Sequence, residues 1–405
     1  MNKTSSKSKL IAIALLIVFF GLLIFLEQVI APTDRMNMLL VCLQMGSIFA
    51  LVAVSMNLLN GFTGLFSLGH AGFMLIGAYM YAIFAIPFED RGLVYRYFDY
   101  VVTTSFPEIF AYHMGRFPGM ILGVIFTIIL AGLVTALIAF LVGLPVLRFK
   151  SDYLAIATLG FAEIIRTILM WRGLGPVANA GNPLRLFTRV GDLTVTFDGG
   201  YTTHSVATFT LAFFAAVGIF IVVLLVNSSY GRAFKAIRED EIAAEAMGIN
   251  LFKHKQMSFC ISAFFAGTGG ALLAIFQNTV TANTFRAAMT YEFLLIIVLG
   301  GIGSITGSVL GAMLYVFASQ WWLRGLDSGV FLGIESALFR PGFRLVILSV
   351  IIMCVVLFFR RGLMGDKELP YHTSKWWAWI KKMIAKLREP RSPSNPKPEA
   401  GGTDA

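Results

Sequence analysis

Long apolar runs separated by short polar joints dominate the pattern of this chain. They fall near residues 10–30, 36–60, 65–86, 118–144, 153–171, 205–227, 257–277, 291–320 and 342–359. Each is close to the about 20 residues that an α-helix needs to cross hydrocarbon. None shows the period-two alternation of a membrane strand. A helix satisfies its own backbone hydrogen bonds, which lipid cannot do. The pattern therefore predicts an all-α, polytopic transmembrane helical bundle of about 8–10 membrane segments, some broken or re-entrant. The run 291–320 exceeds one crossing, and Gly300, Gly301, Gly303 and Gly307 interrupt it. It is expected to form a hairpin of two shorter segments. Asn60-Gly61-Phe62-Thr63-Gly64 lies between two runs and has no Lys or Arg. It reads either as a cytoplasmic turn or as a break within the membrane.

Composition agrees with this reading. The chain is 57% hydrophobic and 13% charged, against about 25% charged in a soluble domain. Its net charge of +10 does not point to nucleic acid. The basic residues lie in short joints and a tail beside apolar spans, where positive charge marks the cytoplasmic side. Lys3, Lys7 and Lys9 precede the run Leu10–Leu26 as they would in a signal peptide. The run is long and no convincing small-residue cleavage site follows, so a retained first helix starting inside is expected. Six crossings then place 228–256 inside, with Arg232, Lys235, Arg238, Lys253 and Lys255; Arg148 and Lys150 also fall inside. The loops 87–117 and 172–204 fall outside, and the basic tail after Arg360 and Arg361 falls inside.

The expected organisation is a membrane domain over 1–365, an interfacial amphipathic helix over 366–388 and a disordered tail over 389–405. Trp376, Trp377 and Trp379 among Lys375, Lys381 and Lys382 suit a lipid headgroup layer. Cys42, Cys260 and Cys354 all lie in apolar runs, so no disulfide framework is expected. The histidines His70, His113, His204, His254 and His372 are scattered, and no Gly-Lys dipeptide occurs. No catalytic group, metal site, bound cofactor or phosphate-binding loop is expected.

The segment Tyr230–Gly248 is a charged, helix-favouring island between apolar runs. It holds Glu239, Asp240 and Glu241, then Ala243, Ala244, Glu245 and Ala246. Alanines allow a partner to approach closely, and Gly248 suits a left-handed helix cap. From composition alone, a docking handle and a solvated connector are equal readings. Ala243-Ala244-x-x-x-Gly248 resembles the cytoplasmic loop by which ABC importer permeases dock on their ATPase subunits. The wider segment is similar to that of branched-chain amino acid permeases of the LivM type. So are Asn60–Gly72, Asp152–Arg166 and Leu299–Gly311. The likeness covers roughly residues 36–365 in scattered blocks. It departs where Ile242 stands in place of the motif's Glu, in the loop Gly173–Pro183, and in the insert 87–117.

The resemblance implies a permease subunit of an ATP-driven importer for branched-chain amino acids in the bacterial inner membrane, with both termini cytoplasmic. It implies a second, LivH-like permease subunit, two ATPase subunits that hold ATP and Mg, and a periplasmic or lipid-anchored binding protein. Glu241, Ala243, Ala244, Glu245 and Gly248 are the expected docking residues. Glycine at membrane depth serves either close helix packing or a broken helix whose exposed ends hold substrate. Gly61, Thr63, Gly64, Ser67, His70, Gly301, Gly303 and Ser304 are the pathway candidates. His70 is equally a packing histidine. Glu163 and Arg166, at i, i+3 within one span, read first as a structural charge pair. Rival readings are a permease for urea or another small amide and a stand-alone secondary transporter or channel. A membrane enzyme lacks a site.

Overall fold

The computed structural model describes residues 34–149, 151–188, 207–323, 330–331, 334–335, 346–347, 349–350, 353 and 362–365. The expected first helix at 10–30, most of the run 342–359, the tail helix and the final tail lie outside the described residues.

Helix α1, Asp34–Asn57, passes directly into a π-helical turn, Leu58–Phe62. Residues 63–69 are non-helical before α2, His70–Ala85. A short helical turn, Arg91–Val94, and α3, Phe106–Met114, fill the unrecognised insert. Then come α4, Arg116–Val146, and α5, Ser151–Met170. After short helical turns between Arg172 and Gly181, α6 runs Ala207–Val226, α7 Ser229–Glu239 and α8 Glu241–Ala246. Helix α9 spans Leu251–Gln277, α10 Ala287–Gly300 and α11 Ile305–Val316, the last continuing as a π-helical segment to Trp322. Two-residue strands β1, Val330–Phe331, and β2, Ile334–Glu335, pair antiparallel and do not change the all-α class.

Four of these helices are long and apolar enough to cross a membrane, and two bent helix pairs also qualify together. The expected run 65–86 corrects to a shorter helix. Its first residues are held open by contacts to other elements rather than by helical bonds. Helices α1 and α9 form the centre, and Phe49, Val52, Ala53, Phe259, Ala263 and Ala266 are buried there. α9 crosses α2 and α4, while α1 packs on α6, α9, α10 and α11. The α2–α9 crossing is a glycine seam. A Cβ on Gly77 would overlap the Gly267 backbone, and one on Gly270 would overlap Met74. Without a hydrophobic drive between helices in lipid, such close backbone contact is what associates them.

The polar groups of these helices are largely satisfied locally. Thr127 and Thr135 donate to the carbonyls of Gly123 and Ala131 at 2.7 Å. The insert is held by a buried arginine. Arg91 donates to the carbonyls of Ile86, Val102 and Thr104 and pins the loop ahead of α3. The neighbouring Tyr95 hydroxyl donates to Val177 O at 2.9 Å. Burial pushes that phenol up to about 12, so it remains a donor at any physiological pH.

Candidate functional site

The charged, helix-favouring island Tyr230–Gly248 folds as an elbow of two helices rather than as one. α6 and α7 are bent by 70°. Ser228 caps α7 by accepting from Tyr230 N and Gly231 N. Asp240 is extended, with φ −158° and ψ 113°, and its Oδ1 accepts from Ile242 N at 2.8 Å and Ala243 N at 3.1 Å. An Asp in this role ends one helix and starts the next. Gly248 lies at φ +82°, where the amides of Gly248 and Ile249 reach back to the Glu245 and Ala244 carbonyls. Such a left-handed residue closes a helix C-terminus.

The expected docking residues divide by direction. Glu241, Ala243, Glu245 and Gly248 are exposed, while Ala244 is buried against the body. Glu241 accepts from Lys255 Nζ at 2.6 Å, which ties α8 to α9. The sequence did not single out Ile242 and Met247 as contacts, yet they are 82% and 83% exposed. These apolar side chains project from the tip of the elbow.

Both glycine breaks are real departures from helix. α10 and α11 meet at 119° across Gly301–Ser304. Gly301 and Gly303 have φ +119° and +86°, conformations open to glycine at little cost. Ser304 starts α11 by accepting from Gly307 N at 3.0 Å. The carbonyls of Leu299 and Gly300, which end α10, accept from Leu363 N and Met364 N. Gly300 and Gly307 pack backbone to backbone across the hairpin.

Asn57 joins the two breaks. Its Nδ2 donates to Ser304 O at 2.9 Å and Ser308 Oγ at 2.7 Å, and its Oδ1 accepts from Gly303 N at 2.9 Å. A Cβ on Gly61 would strike this amide and stand 2.7 Å from Gly303 N. Asn60 holds the open segment by accepting from Ser67 N at 3.2 Å. Leu68 N donates to Thr158 Oγ1 of α5, and Ala71 N to Thr290 Oγ1 of α10.

Of the pathway candidates, Gly61, Thr63, Ser67, His70, Gly301 and Ser304 are buried, whereas Gly64 is exposed and Gly303 half-buried. Thr63 donates to Leu58 O, and the Ser67 hydroxyl accepts from Gly69 N. Ser262 donates to Ser55 O at 2.6 Å, so its oxygen accepts from His70 Nε2 at 2.9 Å and the imidazole is the Nε2–H tautomer. These groups hold the breaks in shape.

Arg238 links the elbow to both breaks. Its Nη1 donates to Gly61 O at 3.0 Å, and a Cβ on Gly303 would meet the same nitrogen at 3.0 Å. Gly64, at φ +75°, lies against the Arg238 backbone and stem. Lys235 stands over the Phe62 ring at 5.5 Å, within cation–π range. Sequence reasoning used Arg238 only to orient the loop and passed over Asn57. A polar residue inside an apolar run was the available signal for Asn57. Arg238 had none, being one base among several.

Glu163 and Arg166 pair at 2.7 Å within α5, and Arg166 also approaches Asn283 Oδ1 at 3.5 Å. Among the described residues no group of His, Cys, Asp or Glu could hold a metal ion.

A helical bundle with apolar spans, two helix breaks stitched by polar side chains and a charged elbow is the architecture of a polytopic membrane protein. Residues 38–359 match the family model described as branched-chain amino acid transport system / permease component. The chain belongs to that family. It is 32% identical over 293 residues to the high-affinity branched-chain amino acid transport system permease protein LivM of Salmonella typhimurium, covering 68% of this chain and 61% of the relative. It is 26% identical over 338 residues to the probable LivM of Methanocaldococcus jannaschii, covering 80% and 92%. It is 25% identical over 330 residues to LivH of Salmonella typhimurium, covering 80% and 94%. The chain thus spans about three-fifths of the Salmonella LivM that it matches. No solved structure matches it.

Proposed function

We propose that the chain is one of two related transmembrane subunits of an ATP-driven importer for branched-chain amino acids. Its LivM and LivH relatives bear that cargo in their names. In this reading the elbow faces the cytosol of a bacterium and seats one of two ATPase subunits, which hold ATP and Mg. The second permease subunit is LivH-like, and a periplasmic or lipid-anchored protein delivers the substrate.

The observation that carries the proposal is the Arg238 contact. A solvated connector would not need its end bonded to Gly61 in one membrane break and set beside Gly303 in the other. Ile242 and Met247 give the ATPase an apolar anchor, and Glu241 holds α8 in place through Lys255. When the ATPase surface closes, α8 moves with it and α7 follows. Arg238 passes the displacement to Gly61 and Gly303, and Asn57 makes the two breaks move together. Differential contacts in the two states shift the bundle between outward-open and inward-open packings. An amino acid zwitterion suits such breaks, because exposed N–H ends favour its carboxylate and exposed C=O ends its ammonium.

Arg238→Ala tests this. Losing a charge-assisted hydrogen bond costs about 1.5–3 kcal/mol, so leucine uptake should fall about tenfold or more. ATPase subunits should still co-purify and hydrolyse ATP. Undiminished ATP-dependent uptake in this variant would refute the relay.

A further inference from the structure

Three fully buried side chains at the start of α2 have hydrogen-bonding capacity left over. His70 gives its Nε2–H to Ser262, so its Nδ1 carries a lone pair, and among the described residues nothing meets it. Ser67 Oγ accepts from Gly69 N, and Thr290 Oγ1 of α10 accepts from Ala71 N. Both hydroxyls are buried, and among the described residues neither donates. Gly69 and Ala71 flank His70 in the chain, so the three side chains gather round one point. Together they offer one acceptor and two O–H donors.

Buried polar groups are nearly always paired, so this set is a departure with a cause to find. Holding the open segment explains Nε2 and the two hydroxyl oxygens as acceptors. It gives no role to Nδ1 or to the two O–H groups. What they lack is a partner with a cationic N–H on one side and an anionic oxygen on the other. The positive end of the α2 dipole adds to the preference for an anion there. Phe73 and Phe293, both buried, follow His70 and Thr290 by three residues, and Phe73 meets the His70 ring edge-on at 6.3 Å. These rings give an apolar wall beside the polar groups. Thr290 lies near one end of α10, and the Gly301 break lies at the other. A shift at that break therefore moves Thr290 against Ala71 and opens a way in.

We propose that these groups bind the head of an α-amino acid: His70 Nδ1 accepts from the ammonium, while Ser67 and Thr290 donate to the carboxylate. The proposal rests on the importer reading given above and assigns the cargo a site within it. The test uses the whole transporter in membranes and a leucine analogue whose side chain carries a photoreactive diazirine. Illumination should label this chain within residues 66–74 or 287–294, and excess leucine should prevent it. His70→Gln keeps an N–H within reach of Ser262 but has no ring nitrogen in place of Nδ1. It should cut labelling about tenfold, with yield and thermal midpoint unchanged. 4-Methylpentanoate, which is leucine without its ammonium, should compete as well in His70→Gln as in wild type. Thr290→Val should weaken that competition, and Thr290→Ser should retain it. Labelling confined to other segments overturns the assignment. So does full labelling of His70→Gln, or loss of 4-methylpentanoate competition in that variant. Leucine uptake by the wild-type transporter is measured alongside. Uptake with the label elsewhere removes this site alone, whereas no uptake removes the importer reading with it.

Discussion

Asn57 and Gly61 illustrate how one side chain and one missing side chain depend on each other. The amide of Asn57 reaches Gly303, Ser304 and Ser308 only because Gly61 leaves the space. Asn57→Leu would strand buried donors and acceptors at about 1–3 kcal/mol each. Gly61→Ala would push a methyl into the same amide, at about 1–3 kcal/mol. Both should lower the thermal midpoint of the detergent-solubilised protein, whereas Gly160→Ala, where a Cβ would meet nothing within 4 Å, should not. A Gly61→Ala protein as stable as wild type would show that the breaks are not stitched in this way. Glycine spacing made both breaks visible in the sequence, and the clamp was hidden because its partners lie some 250 positions apart.

The elbow shows a local rule obeyed and a longer pattern misread. Helix-favouring residues run on both sides of Asp240, so propensity suggested one helix. Asp240 competes for the backbone as a cap and turns the chain. Asp240→Ala should remove about 1 kcal/mol of capping and speed hydrogen exchange at the Ile242 and Ala243 amides. A change confined to distant amides would count against the cap. Glu241 and Lys255 form the next test. Glu241 is half-exposed although Lys255 is mostly covered, so the pair contributes little to stability and its value is positional. Glu241→Lys should reduce leucine uptake while leaving insertion intact. Adding Lys255→Glu should restore much of it if the pair sets the angle of α8. If the double variant transports no better than the single one, the pair does not set that angle.

Taken together, the helices form a bundle whose centre is α1 and α9, with its two breaks joined through Asn57. Two outcomes belong to the full assembly. A Met247→Cys chain should react with a membrane-impermeant thiol reagent only from the cytosolic side, since the proposal puts the elbow there. Excess unlabelled leucine should abolish labelled isoleucine uptake, and urea should leave it unaffected. Periplasmic labelling of residue 247 would remove the ATPase seat, and urea competition would redirect the cargo.

Periodicity and polarity alone were enough to define an all-α membrane protein, its broken segments and the polar island. Those properties follow from one-dimensional requirements: the length needed to cross hydrocarbon, the cost of an unbonded backbone, and the backbone freedom of glycine. The junction of Asn57 with Gly303, the reach of Arg238 to Gly61 and the burial of Ala244 emerged only in the folded chain. Each depends on which helices cross, and packing between distant segments sets that arrangement, leaving no local mark on the residues concerned.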